Sequence, residues 1–310
     1  MNATASPSEL QERPIIHRSE NCLLRPGNTN CGGCGMSIGL TMLGRALEEA
    51  GDTCTLVIPA CCGIVTAGAF PTTSYGVPTI ATTFASAAAV ASGVASIRDL
   101  NADPGQVICW AGDGGTYDIG LATLSAAAER NENIIYICYD NEIYGNTGGQ
   151  RSSATPAGAH TTTTPWGKIE GKKDIMSIMT AHRIPYVATL SVAHPDDFAR
   201  KMSAALSMKG MRFLLLHSPC PTGWKSEPED SVALVRIAVA SGLFPLYEVY
   251  NGATYRISVE PDETDAAEYF HRQRRFDDEE IDLNAIRRFC ANRMQRLRAL
   301  AEQYPVPRVD

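Results

Sequence analysis

Two short apolar runs, "VICWAG" at 107–112 and "IIYICYD" at 134–140, flank an alanine-rich stretch, "GLATLSAAAERNEN" at 120–133. Compact runs of β-branched and aromatic residues closed by Gly or Asp predict strands, and the longer stretch between them predicts a helix. The same alternation returns further along. "RIPYVAT" at 183–189 and "RFLLLHSP" at 212–219 read as strands, and "HPDDFARKMSAALSMKG" at 194–210 reads as the helix between them, entered through Asp and left at Gly210. "MSIGLTMLGRALEEAG" at 36–51 and "FASAAAVASGVASIRDL" at 84–100 predict two more helices. Strands alternating with helices predict an α/β fold, with a mostly parallel sheet and helices on both faces.

The pattern changes at about residue 255. Residues 259–282 are dense in Asp and Glu, and "IDLNAIRRFCANRMQRLRAL" at 281–300 predicts an amphipathic helix with Leu283, Ile286, Cys290, Leu297 and Leu300 on its apolar side. Such a face packs either on its own domain or on another subunit. The organisation read from the chain is an N-terminal arm at 1–20, one main domain at 21–255 and a C-terminal arm at 256–310.

Charge and composition narrow the class. With 27 basic against 34 acidic side chains the net charge is −7, and no basic run exceeds a pair, so the attraction that non-specific nucleic-acid binding needs is missing. No stretch reads as a signal sequence or a membrane span, since the most apolar run is small-residue-rich and interrupted by Gly93. A cytoplasmic location follows as the expectation, and in a reducing compartment ten cysteines point to metal ligation or redox chemistry rather than disulfides.

In a parallel sheet, ligands bind beyond the carboxyl ends of the strands. "AGDGG" at 111–115 and "YDNEIYGN" at 139–146 both fall there. Magnesium takes a few fixed oxygens and fills its shell with water and substrate phosphates, and Asp113, the Asn141 amide and the Ile143 carbonyl could supply three. Gly112, Gly114 and Gly115 would let a diphosphate approach the main chain, with a helix starting near Tyr117 turning its positive end toward it. A GDG followed 28 positions after its Asp by an Asn resembles the pattern of thiamine diphosphate enzymes, although an ordinary glycine turn after a strand uses the same letters. Asp140 reads as a strand-end or turn residue.

The cysteines form a second constellation. "NTNCGGCG" carries Cys31 and Cys34 as a C-x-x-C, "PACCGIV" carries Cys61 and Cys62, and "HSPCPTGW" carries Cys220. Four thiolates can hold tetrahedral zinc or a cubane iron–sulfur cluster, and spacing alone does not choose. A thioredoxin-like redox pair fits less well, because the additional cysteines framed by Gly and Pro argue for ligation. Cys109 and Cys138 lie within the apolar strands, Cys290 lies on the C-terminal helix, and Cys22 and Cys54 have no companion at ligand spacing, so these five read as core or isolated thiols.

Taken together, "NCGGCG", "GDGGTYDIG", "ICYDNEIYGNTGGQRSSATP", "TTTTPWGK", "KKD", "AHRIPYVAT", "PCPTGW" and "SGLFPLYEVYNG" resemble the β subunit of the 2-oxoacid:ferredoxin oxidoreductases, across residues 25–252. The resemblance implies a thiamine diphosphate-binding fold. It implies a [4Fe–4S] cluster on Cys31, Cys34, Cys62 and Cys220, and Mg2+ on Asp113, Asn141 and the Ile143 carbonyl. It also implies an active-site asparagine at Asn146 and cofactor contacts at Gly35, Cys62, Gly112, Asp113, Gly114, Gly115, Asn141 and Ile143. Cys61 competes with Cys62 for the third cluster position; Cys62 keeps register with Phe70 and Pro71.

The activity implied is oxidative decarboxylation of a 2-oxoacid, with electrons passing to iron–sulfur clusters and ferredoxin or another acceptor, and coenzyme A as acyl acceptor unless the substrate is oxalate. The partners implied are α, γ and δ-type subunits, with part of the active site on the α chain, so this chain alone would be inactive. "CGGCG" and "PACCG" lean toward a phenylglyoxylate or oxalate branch, with pyruvate as the other choice. Two readings compete: a non-catalytic subunit stabilised by zinc, and a thiamine diphosphate decarboxylase without redox chemistry. His160, His182 and His194 lack metal spacing and read as loop or helix-end residues. Trp166 and Trp224 could wall the site or fill a subunit contact, and Lys168 and Lys172 could meet an acidic substrate or coenzyme A, with a solvated loop charge as the default reading.

Overall fold

The computed structural model describes residues 22–68, 73–262, 264–277 and 281–306. The N-terminal arm, and the Phe70 and Pro71 used to set the cysteine register, lie outside the described residues. Eight strands form one sheet: β1 Cys54–Pro59, β2 Thr79–Thr82, β3 Gln106–Gly112, β4 Ile135–Asp140, β5 Tyr186–Ser191, β6 Arg212–His217, β7 Leu246–Tyr250 and β8 Thr254–Val259, in the order β2-β1-β3-β4-β6-β5-β7-β8. The first six run parallel, while β7 pairs antiparallel with β5 and β8 antiparallel with β7.

Every residue of β1, β4, β5 and β6 is buried, as is all of β3 beyond its first. Because side chains alternate between the two faces of a strand, both faces of the central sheet must be covered. The cover comes from α1 Gly35–Ala50, α2 Cys62–Thr66, α3 Ala87–Asn101, α4 Leu121–Glu129, α5 Ile175–Ala181, α6 Pro195–Ser207, α7 Pro221–Trp224, α8 Ser231–Ala240, α9 Ala267–His271 and α10 Leu283–Gln303. α1 packs on α6, and α3 packs on α4.

Local chemistry sets the helix ends. α6 starts with Pro195 in its first turn and Asp196 and Asp197 beside its positive end. It stops at Ser207, earlier than Gly210, because Met208 is already extended; Gly210, at φ 87, turns the chain into β6. α5 opens on Asp174, whose carboxylate accepts the Ser177 amide at 3.0 Å.

The composition shift at residue 255 falls inside β8, which continues the sheet. α10 follows and turns Cys290, Met294 and Leu297 inward against its own chain, with contacts to β8 and an Arg293 bond to the Leu243 carbonyl at 3.2 Å. Among the described residues, no helix is long and apolar enough to cross a membrane.

Candidate functional site

Strand order gathers the motifs. β3 and β4 are parallel neighbours with Gly112 opposite Tyr139, so the chain segments leaving them, Asp113 and Asp140–Asn141, emerge side by side at one edge. β1 lies on the far side of β3 and releases Cys61 and Cys62; β6 lies on the far side of β4, with His217 opposite Asp140, and releases Cys220. Cys31 and Cys34 reach the same edge because the Gly35 amide at the start of α1 donates to the Pro219 carbonyl at 2.9 Å.

Asp113, Asn141 and Ile143 come together at the centre. The Asn141 amide group lies 2.8 Å from Asp113 Oδ1 and 2.9 Å from the Ile143 carbonyl oxygen. With its nitrogen facing them it donates to both; with its oxygen facing them, three oxygens gather at one point. Adjacent ligands of an octahedral magnesium ion stand about 2.9 Å apart, which follows from metal–oxygen distances of about 2.0–2.1 Å. The donor set therefore fits the metal that the sequence implies. Asp113 is buried, and Ser152 Oγ donates to its other oxygen at 2.5 Å. Burial, and after it the Asp140 carboxylate, pushes the Asp113 carboxyl well above the usual carboxylate range. A cation beside this group would remove that penalty.

The glycines have specific neighbours. A Cβ on Gly114 would lie 2.0 Å from the Tyr144 ring, one on Gly115 3.3 Å from Phe84, and one on Gly112 3.4 Å from Tyr139. Instead of a helix starting near Tyr117, a π-helical turn spans Gly114–Asp118 and α4 begins at Leu121. Tyr117 is buried inside that turn and donates to Asp140 Oδ2 at 2.7 Å.

Asp140 is a strand-end residue, as the sequence predicts, closing β4, and it is fully buried: its Oδ2 meets Lys172 Nζ at 2.7 Å, and its Oδ1 accepts the Glu142 amide at 3.2 Å. Two sequence expectations are corrected, both on lysines. Lys172 is not a solvated charge, because it bridges Asp140 and Glu142, the latter at 2.9 Å. Lys168 is buried, donating to the Thr155 and Gly171 carbonyls at 2.7 and 3.2 Å. Burial alone would raise the Glu142 carboxyl, but Lys172 and Arg275 together hold it below its usual range.

Cys31, Cys34, Cys62 and Cys220 lie within electrostatic reach of one another. Burial, then the charges of Cys220, Cys61, Cys34 and Cys31, pushes the Cys62 thiol up to about 12. Burial likewise pushes Cys220 up to about 11, with Cys34 and Cys31 adding to it and the Gly223 N–H, 3.3 Å from its sulfur, opposing. Such mutual repulsion is relieved when thiolates share a cation. Cys61 turns another way: its Sγ lies 2.9 Å from the Pro59 carbonyl and interacts with Tyr139 and the Gly112 backbone. Among the described residues, no group of three or more His, Cys, Asp or Glu converges on a single-ion position.

Asn146 is exposed in a turn after Tyr144, and the neighbouring Gly145 lies beside Cys62, since a Cβ there would be 3.8 Å from its sulfur. Trp224 is buried and its Nε1 donates to the Asn141 carbonyl at 2.8 Å, whereas Trp166 is 89% exposed. His160 sits in a loop, His182 closes α5 and His194 opens α6, as read from the sequence. Cys109, Cys138, Cys54 and Cys290 are buried, and Cys22 Sγ lies 2.9 Å from the Leu24 carbonyl. Sequence reasoning did not single out Ser152, Glu142, Tyr144 or Arg275. The signal for Ser152 was its place in "GQRSSATP"; nothing in the local pattern marked Arg275, which is 133 positions from its partner Glu142.

Comparison with known proteins follows the same lines. Residues 61–216 match the model of the thiamine pyrophosphate enzyme C-terminal TPP binding domain. The chain is 41% identical to ketoisovalerate oxidoreductase subunit VorB of Pyrococcus horikoshii, over 96% of this chain and 99% of that one. It is 44% identical to pyruvate synthase subunit PorB of Methanothermobacter marburgensis, over 83% and 90%, and 46% identical to the PorB of Methanocaldococcus jannaschii, over 81% and 88%. Its fold is similar to a chain of the 2-oxoglutarate:ferredoxin oxidoreductase from Magnetococcus marinus, with a TM-score of 0.62 at 22% identity, covering 89% of this chain and 97% of that one.

Proposed function

Because the chain belongs to the β-subunit family of the 2-oxoacid:ferredoxin oxidoreductases, we propose that Asp113, Asn141 and the Ile143 carbonyl hold Mg2+ against the diphosphate of thiamine diphosphate, and that Cys31, Cys34, Cys62 and Cys220 hold a [4Fe–4S] cluster. The observation that carries this reading is the meeting of three oxygen-bearing groups at 2.8 and 2.9 Å between two flanks of cysteine. Bound here, thiamine diphosphate would supply carbanion stabilisation for loss of CO2 from a 2-oxoacid, and the cluster a one-electron acceptor beside it.

The chain's own residues bind and orient. Asp113 and Asn141 would fix the cation, the main chain at 112–115 would meet the diphosphate, and Asn146, on the turn that brings Gly145 beside Cys62, would supply the active-site polar group.

The complete reaction would take a 2-oxoacid anion and coenzyme A to an acyl-coenzyme A, CO2 and a proton, and deliver two electrons to ferredoxin or another acceptor. Oxalate as substrate would need no coenzyme A. The names of the relatives put ketoisovalerate and pyruvate ahead of phenylglyoxylate and oxalate. Partner α, γ and δ-type subunits complete the site, and the cytoplasm suits ten free thiols.

The test is to purify the complex without oxygen and measure iron, acid-labile sulfide, magnesium and thiamine diphosphate, then dye reduction with ketoisovalerate, pyruvate, phenylglyoxylate and oxalate. A brown protein reduced by one of these acids supports the reading. Zinc without iron, or thiamine diphosphate without iron, would overturn the cluster. Full turnover by this chain alone would overturn the shared site.

A further inference from the structure

Glu142 sits between two of the groups assigned to the metal, Asn141 and Ile143, at φ 64, a backbone conformation that L side chains avoid. Something must hold it there. Its carboxylate points into the protein, where Lys172 Nζ meets Oε1 at 2.9 Å, Arg275 Nη2 meets Oε2 at 2.5 Å, and the Tyr269 hydroxyl stands 3.4 Å from Oε2. Its own carbonyl accepts the Thr155 hydroxyl at 2.7 Å. One residue earlier, the Asn141 carbonyl accepts Trp224 Nε1 at 2.8 Å, and the Arg275 guanidinium lies 4.7 Å from the centre of the Trp224 ring.

Arg275 thus grips the loop twice, once through the Glu142 carboxylate and once through the indole that holds Asn141. It comes from the segment after α9, outside the thiamine pyrophosphate domain matched at 61–216. It is 1% exposed, and its Nη1 has no hydrogen-bond partner among the described residues. Its Nε donates to Gln273 Oε1 at 2.9 Å and its guanidinium also lies 5.0 Å from the centre of the Phe276 ring, both within its own segment, so what it reaches outside that segment is Glu142 and Trp224.

We propose that Arg275 is a positioning residue for the cation-binding loop: by clamping Glu142 and backing Trp224 it aims the Asn141 side chain and the Ile143 carbonyl at Asp113. The inference rests on the reading that these three groups hold Mg2+. Groups that orient metal ligands from behind change metal affinity by about 10–100-fold when removed, whereas a residue that only fills the core changes stability and leaves affinity alone.

The experiment uses the intact complex, stripped with a chelator and titrated with Mg2+ at saturating thiamine diphosphate, with cofactor retained per complex as the readout. Arg275→Met should raise the half-saturating Mg2+ concentration by about 10-fold or more. Iron per complex should stay at the wild-type level. Arg275→Lys should recover part of the affinity, because an ammonium can reach Glu142 but lacks the planar fork that also stacks on the indole. Glu142→Gly accepts the backbone conformation without strain and removes the carboxylate that Arg275 clamps, while Lys172 keeps its pairing with Asp140, so it should weaken Mg2+ binding in the same direction, and it decides the matter if Arg275→Met does not assemble.

Half-saturation within twofold of wild type in an assembled variant overturns the proposal. So does a loss in Arg275→Met that Arg275→Lys leaves unimproved while Glu142→Gly binds normally. A wild-type complex that takes up neither Mg2+ nor thiamine diphosphate would instead sink the underlying reading of the site.

Discussion

Gly35→Ala is a sharp test of how the cysteines are held. The Gly35 amide donates to Pro219, and an added methyl would lie 2.1 Å from Pro219 Cδ, 2.5 Å from its nitrogen and 2.8 Å from the Ser218 carbonyl carbon. Ordinary contact begins at 3.4 Å, so the start of α1 and the segment after β6 must separate by about 1.3 Å. Two of the three atoms are main chain, which cannot rotate aside, so the cost lies at the upper end of overpacking, about 3 kcal/mol. These same segments carry Cys34 and Cys220. Metal sites tolerate departures of only about 0.2 Å from ideal ligand distances, so cluster binding fails before the sheet does. The assay is iron and acid-labile sulfide per chain in the purified complex, with visible absorbance; a tenfold or greater loss of iron with thiamine diphosphate retained is expected. Gly93→Ala, in the middle of α3 with nothing within 4 Å of its Cβ, is the control and should stabilise by about 0.5–1 kcal/mol. A Gly35→Ala complex with its full iron and an unchanged spectrum would refute the reasoning, since the close approach of Gly35 to Pro219 would then play no part in setting the ligand spacing.

Other outcomes follow from the same geometry. Cys62→Ser should abolish iron binding while Cys61→Ser keeps it, because the Cys61 sulfur is directed to the Pro59 carbonyl; iron analysis decides, and the reverse result would move the ligand to Cys61. Gly114→Ala should expel the Tyr144 ring, break its 2.7 Å bond to Asp118 and cost about 1–3 kcal/mol, seen as weaker retention of thiamine diphosphate. His217 is fully buried and, by burial first, its pKa falls from 6.5 to about 3. The unfolded chain therefore binds a proton that the folded chain refuses between these values, and stability should fall by about 1 kcal/mol from pH 6.5 to 5.5, steepening toward about 1.4 kcal/mol per pH unit below that. His217→Phe keeps the stack on Phe244 and should flatten that part of the slope in urea unfolding at pH 6.5 and 5.5; identical slopes would show that the imidazole is protonated in the folded state.

The local pattern determined a great deal of the molecule. Continuous apolar runs such as "VICWAG" and "IIYICYD" predict strands buried on both sides, because only a parallel sheet covered twice removes polar alternation, and β3 and β4 are buried in that way. "CTLVIP" carried the same signal and forms β1. The antiparallel edge of β7 and β8 was less legible, since Glu248 interrupts the apolar run and is accommodated by Tyr250 on its own strand and by Tyr186, Arg200 and Arg256 from elsewhere. Asp113, Asn141 and Ile143, the groups proposed to hold the metal, could be singled out from the sequence because each follows a recognisable strand, and the fold brings them together.

What surrounds them belonged to tertiary structure. The order β1-β3-β4-β6 sets the segments that carry Asp113 and Asn141 between the cysteine segments, and no local period encodes which strands are neighbours. Asp140 read as a strand-end or turn residue and Lys172 as a loop charge, and only the fold shows one carboxylate buried beside another with a lysine as their counter-charge. Arg275 lies far along the chain from Glu142, and burial is what turns its charge from a surface ornament into a fixed clamp, because in a low-dielectric interior an ion keeps its charge only beside a partner.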